Sequence, residues 1–147
     1  MYIAHQPVLL KEVIDHLNLQ PGENCIDGTL GGGGHSQAIL ESTDPDGKLL
    51  GIDADQEAIN HSQDRLSAYG SRVELAKRNF VCLADIVKEK NFHPVHGVLL
   101  DLGVSTHQIM AAERGFSFQK SGELDMRFDS EKSLSALEVV NDFDIDQ

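Results

Sequence analysis

An α/β fold, a doubly wound parallel sheet with helices on both faces, is predicted from three observations. Strand-like and helix-like segments alternate from Val8 to Asp101, the signature of β-α-β units. The strands are apolar at consecutive positions, as in Leu49-Leu50-Gly51-Ile52 and Val98-Leu99-Leu100, because strands covered on both faces lose the period of two. A run of glycines separates the first such strand from the helix after it.

The elements follow in order. After Pro7, Leu9, Leu10, Val13, Ile14 and Leu17 repeat at helical spacing and predict a helix over 8–17. Pro21-Gly22 is a turn. Cys25-Ile26-Asp27 is a short strand ending at the glycines, and a helix is expected from about His35 to Ser42. Asp44-Pro45-Asp46-Gly47 is a second turn, and Leu49–Asp53 a buried strand. Asp55 can cap a helix that sets Ala58, Ile59, Ser62, Leu66 and Tyr69 on one face. Val73–Ala76 is a third strand, Leu83, Ile86 and Val87 mark another helix, and Val98–Asp101 is the fourth strand. From Ser105 to Glu131 the pattern is irregular and rich in Gly, Phe and charge, and long irregular stretches are more often functional than filler. Ser135-Ala136-Leu137-Glu138 is a capping box with Leu134 and Val139 set as its hydrophobic staple. A last helix is therefore expected to start there and to be cut short at Gln147.

The 147 residues amount to one domain, and 40% hydrophobic with 24% charged residues fits a soluble globular class. No apolar run approaches the roughly 18 residues that span a membrane. The first residues lack the basic-then-apolar plan of a secretory signal. Cys25 and Cys82 share no metal-like or paired spacing, so both are expected reduced, in a cytoplasmic protein. His93-Pro94-Val95-His96 has no further ligand cluster beside it, and no metal site is expected. A net charge of −12 argues against tight RNA binding by this chain alone.

The chemistry concentrates after the strands. Asp27-Gly28-Thr29-Leu30-Gly31-Gly32-Gly33-Gly34-His35 follows a strand and opens a helix. Such glycines let backbone approach a ligand, and the helix N-terminus offers free N–H groups. The register is not G-x-G-x-x-G, which disfavours a nicotinamide or flavin oxidoreductase. An acid ending the first strand suits a cofactor with a positive amino-acid end and no phosphates. Asp53 ends the second strand, about 20 residues on, where an acid takes ribose hydroxyls. Asn79 and Phe80 follow the third strand, placed for an adenine edge and face, and Asp101 ends the fourth. The plainer alternative is a tight structural turn, solvated caps and a core phenylalanine.

These blocks carry a resemblance. His5-Gln6-Pro7-Val8-Leu9-Leu10, the glycine segment through Ser36, Gly51-Ile52-Asp53-Ala54-Asp55, Asn79-Phe80, Leu99-Leu100-Asp101-Leu102-Gly103-Val104-Ser105, Glu113-Arg114-Gly115-Phe116-Ser117-Phe118 and Leu124-Asp125-Met126-Arg127 occur in order. In them the chain resembles the ribosomal RNA small subunit methyltransferase H family over nearly its whole length. The resemblance implies a Rossmann-like class I methyltransferase fold, truncated after about four strands. It divides the chain into residues 1–129, the N-terminal part of an S-adenosylmethionine-binding domain, and 130–147, the start of a helical insert. It implies S-adenosyl-L-methionine held by Gly33, Gly34, His35, Asp53, Phe80, Asp101 and Gln108, and methyl transfer to a cytosine N4 of small-subunit (16S) ribosomal RNA. The chain departs from the family pattern where His107 and Glu123 stand in place of prolines. The family's chains also continue beyond this point, with the rest of the insert, further strands and a late Ser-Phe-His-Ser block.

Asp101, from its place at a strand end, and the backbone of Leu102-Gly103 are the candidates for the catalytic rim beneath the methyl, where an acceptor near the N4–H would localise the nitrogen lone pair. Arg114, Phe116, Phe118, Lys120 and Arg127 interleave charge with aromatics, which suits single-stranded ribosomal RNA or the ribosomal particle; the alternative is a loop pinned by its phenylalanines. The fourth strand, unpaired on its far edge, predicts self-association. A non-catalytic cofactor-binding or interaction module is the other reading of the chain.

Overall fold

The computed structural model describes residues 7–144; His5 and Gln6 of the first motif, and Gln147, lie outside them. The chain packs as two compact units, with described residues 7–102 in one and 103–144 in the other. Packing thus divides the chain at 102/103, ahead of the 129/130 boundary that the sequence suggests for the insert.

The first unit is a four-stranded parallel sheet of β1 (Cys25–Asp27), β2 (Leu49–Asp53), β3 (Val73–Lys77) and β4 (Gly97–Leu99), in the order β3-β2-β1-β4. These are the first four positions of the doubly wound Rossmann-like order 3-2-1-4-5-6. Its helices are α1 (Leu10–Leu17), α2 (Gly34–Ser42), α3 (Gln56–Leu66) and α4 (Leu83–Glu89).

Alternate strand residues feed two cores. Cys25 and Leu49 join Leu30, Ile39, Leu40, Ile59 and Leu66 on one side, with Ile14, Leu17, Val73, Leu75 and Leu99 packed against them. Ile26, Leu50 and Ile52 join Ile86 and Phe92 on the other, with Ala76, Leu83 and Val87. Consecutive apolar residues in β1 and β2 are therefore both buried, on opposite faces. Gly51 interrupts β2 because a Cβ there would lie 2.8 Å from both Leu30 Cδ1 and Leu75 Cδ2.

Three expectations shift. The first helix begins at Leu10, because Leu9 takes a left-handed conformation (φ 52°) and stays exposed. Asp55 does cap α3 by accepting the Glu57 N–H at 3.0 Å, but Tyr69 falls past its end, in a 3-10 helix over Ser67–Arg72. Tyr69 still packs against the α2–α3 core, and Arg72 stands over its ring at 5.7 Å. The fourth strand runs Gly97–Leu99, not Val98–Asp101; Asp101 lies beyond its last rung. The sequence also concealed a clamp: Arg72 donates to the carbonyls of Gly47 and Leu40 at 2.7 Å and to Asp44 at 2.8 Å.

In the second unit, Ser105–Glu131 is less irregular than its composition suggests. α5 (Thr106–Met110) starts at a capping box in which Ser105 Oγ accepts the Gln108 N–H at 3.1 Å, while Gln108 Oε1 accepts the Ser105 N–H at 3.0 Å. The Ser-x-x-Gln spelling announces that start. α6 (Ala136–Asp142) begins at its expected box, where the Ser135 N–H donates to Glu138 at 2.7 Å. It closes at Asp142, where Phe143 turns extended, rather than running to the chain end. Among the described residues no helix is long and apolar enough to cross a membrane.

Candidate functional site

The carboxyl ends of β1, β2, β3 and β4 deliver Asp27, Asp53, Asn79-Phe80 and Asp101 to one rim of the first unit, where parallel sheets bind ligands. These residues do not contribute alike. Asp27 is buried. Its Oδ2 accepts the Ser36 hydroxyl at 2.7 Å and its Oδ1 the Thr29 N–H at 3.1 Å. Burial pushes this carboxyl above the usual range, and the bonds from Ser36 and Thr29 pull the other way. The expectation that this acid faces a cofactor's positive end is corrected: its oxygens are turned inward and fix the loop that follows.

Asp53 is half-buried and also pushed up mainly by burial, against the pull of backbone donors. It accepts the Gly31 N–H on Oδ2 at 2.8 Å and the Asp55 N–H on Oδ1 at 2.9 Å. Each carboxylate oxygen can accept more than one bond, so Asp53 is both the anchor of the glycine loop and an available acceptor. Phe80, 36% exposed, opens a short 3-10 helix over Phe80–Cys82. A Cβ on Gly28 would lie 2.6 Å from Leu100 Cδ2 and 3.4 Å from Phe80 Cβ; the absent side chain lets these two apolar groups close over the strand end. Asn79 accepts the Val81 N–H at 3.0 Å as a cap.

The helix-side glycines answer to the protein itself. Gly33 is left-handed (φ 73°), and a Cβ there would meet Ser62 Oγ at 2.9 Å; at Gly34 it would collide with Pro7. Ser62 and Arg65 of α3 donate to the carbonyls of Gly31 and Gly32 at 2.9 and 2.8 Å. The sequence placed Ser62 on the inward helix face without its loop bond and gave no role to Arg65, although their i,i+3 spacing puts them on one helix face. His35 is buried, its Nε2 3.0 Å from the Val8 carbonyl and its Nδ1 3.7 Å from Asp101 Oδ2. A carbonyl only accepts, so Nε2 carries the proton. The Asp101 side chain is 52% exposed.

In the second unit, Gln108 is buried with its carboxamide oxygen in the capping box. The basic residues are engaged locally. Arg114 donates to the carbonyls of Arg127 and Phe128 at 3.1 Å, Lys120 to the Met110 carbonyl, and Arg127 to Asp125 at 2.9 Å. That pairing holds the Asp125 carboxyl down to about 2. Phe116 packs against Phe128 with centroids 5.3 Å apart and ring planes tilted by 58°, whereas Phe118 is 97% exposed.

Sheet order, glycine loop and acidic rim together define a doubly wound α/β domain with its candidate ligand rim at the carboxyl ends of the strands. Comparison with known proteins makes the assignment specific: the model of the MraW methylase family matches residues 2–147, and the chain belongs to that family. Ribosomal RNA small subunit methyltransferase H of Geotalea uraniireducens is 50% identical over 137 residues, 93% of this chain and 44% of that protein. The proteins of the same name from Syntrophus aciditrophicus and Dehalococcoides mccartyi are 49% and 48% identical, over 95% and 96% of this chain. The chain spans less than half the length of these relatives. A Clostridium thermocellum structure, provisionally described as an rRNA-methylase, superposes with a TM-score of 0.56 at 21% identity, over 73% of this chain and 58% of that one; that likeness speaks to the fold alone.

Proposed function

We propose that this chain forms the cofactor-binding part of an S-adenosyl-L-methionine-dependent methyltransferase acting on a cytosine N4 of small-subunit ribosomal RNA. The observation that carries the reading is the rim of the first unit: an acceptor carboxylate at Asp53, an exposed aromatic at Phe80 and an exposed carboxylate at Asp101, set around a glycine loop. This donor set fits a cationic nucleoside, with ribose hydroxyls for Asp53, an adenine face for Phe80, and loop backbone from Gly33 to His35. The family membership and the names of the relatives support the reaction class. For Gln108 the reading rests on resemblance.

When bound, the cofactor supplies a methyl group on a cationic sulfur, and transfer depends on positioning and exclusion of water. In this reading Asp101 accepts the N4–H of a cytosine taken out of its stack, while His35, held by the Val8 carbonyl, stands behind it. Arg114, Phe116, Lys120 and Arg127 frame the RNA-facing loop, with exposed Phe118 the ring available for a base. The setting is cytoplasmic, in keeping with two free thiols, and burial pushes that of Cys25 up to about 12. The edge of β4, which no other described strand pairs, makes self-association part of the reading.

The test is calorimetry of S-adenosylmethionine with the purified chain and with Asp53→Ala. Saturable binding that weakens at least tenfold in the variant is expected. A folded wild-type chain that binds nothing would remove the assignment of cofactor binding to this chain. The second reading is a binding module without turnover; methyl transfer to RNA by this chain would dismiss that.

A further inference from the structure

The end of β4 is held by a bond that the strand ladder does not supply. β1 and β4 pair as far as Asp27 and Leu99, and the Gly28 N–H adds a rung to the Leu99 carbonyl at 2.9 Å. A further backbone rung would continue a parallel ladder, but the chain turns into the glycine loop at Thr29. There the Asp101 N–H donates to the Thr29 hydroxyl oxygen at 2.7 Å, across 72 positions of sequence.

Thr29 is itself fixed from beneath. Its N–H donates to Asp27 Oδ1 at 3.1 Å, and its hydroxyl lies 3.5 Å from the same oxygen. The other Asp27 oxygen takes the Ser36 hydroxyl, at 2.7 Å, from the first turn of α2. A hydroxyl accepts with its lone pairs and donates its one hydrogen, so Thr29 can take the Asp101 N–H while pointing its proton at the buried carboxylate. Ser36, Asp27, Thr29 and Asp101 form one connected path from the start of α2 to the end of β4.

We propose that Thr29 is a positioning residue for Asp101, and that through it the glycine loop and the β4 end are set at the separation an adenosyl sulfonium cofactor requires. The inference rests on the reading of this rim as the S-adenosylmethionine site. Asp101 has no rung of its own, and its carboxylate is exposed; the Thr29 bond fixes the backbone from which that carboxylate projects. The role needs a side-chain oxygen at residue 29 and not its methyl, so serine suffices and valine does not.

The experiment compares wild type, T29V and T29S by amide hydrogen exchange in NMR spectra and by calorimetric titration with S-adenosylmethionine. In wild type the Asp101 amide should be protected although the residue is exposed. In T29V that amide should exchange at least about tenfold faster and cofactor affinity should fall about fivefold, the scale of one net hydrogen bond; T29S should restore both. If T29V does not fold, T29A makes the same comparison. Cofactor binding by the valine or alanine variant within twofold of wild type would overturn the inference alone, as would an unprotected Asp101 amide in wild type. A folded wild-type chain without cofactor binding would overturn the rim reading and this inference with it.

Discussion

At the scale of single residues, the rim is built from carboxylates with different duties. Asp27 is sealed below the surface, half-buried Asp53 accepts the Gly31 and Asp55 N–H groups on its two oxygens, and Asp101 is exposed. The buried acid has a consequence for stability. Its folded-state pKa lies above the unfolded value, so the folded chain holds the proton more tightly. Its contribution is therefore fully present below the unfolded value of about 3.9 and is lost as pH rises through the raised folded value. Asp27→Asn removes this titration while keeping an acceptor for Thr29. The stability of the variant relative to wild type should rise as pH increases through that window, measured by urea denaturation from pH 3 to 7. A constant difference would mean that Asp27 titrates normally. The acid at the end of β1 was plain in the sequence, but its burial was not, because burial depends on Ser36 and Thr29 folding back over it.

At the scale of elements, the loop between α5 and α6 is stitched by its own charges. Arg127 binds Asp125 and the Lys132 carbonyl, and Arg114 binds the carbonyls of Arg127 and Phe128. The lowered Asp125 pKa means that this pair stabilises fully above about pH 4 and is lost as pH falls through about 2. Arg127→Ala should accelerate protease cleavage within 111–132 severalfold at neutral pH and leave cleavage elsewhere unchanged; an unaltered pattern would show the pair to be dispensable. Arg114 and Lys120 bear on RNA as well. Their joint replacement by alanine should reduce the salt dependence of RNA binding, and an unchanged slope would assign them to the loop alone. The capping boxes of α5 and α6 were both spelled out locally, as Ser105-x-x-Gln108 and Ser135-x-x-Glu138. The internal partners of the arginines were not, since a guanidinium reads the same in sequence whether it faces phosphate or a carbonyl.

At the scale of the whole molecule, β4 pairs with β1 alone among the described strands, and Val98, Leu100 and Leu102 are 45%, 45% and 69% exposed. An apolar strand with one free edge recruits further strands. Light scattering should therefore show mass rising with concentration, and Val98→Lys should suppress the rise. A monomer at all concentrations would remove this part of the reading. Relatives more than twice as long match this chain over their corresponding region.

The sequence by itself determined the class of fold, the order of elements and the family, because these depend on periodicity, on capping spellings and on motif order, all of which are local. It also named Asp53, Phe80 and Asp101 as residues of one rim, since parallel strands must present their carboxyl ends on the same side. Only the tertiary structure decided what each does there. Gly33 and Gly34 make room for Ser62 and Pro7, Asp27 turns inward, and Thr29 holds Asp101 across 72 positions of chain. These pairings depend on the distance between strand ends once the sheet has closed, and that distance is fixed by packing rather than by neighbours in sequence.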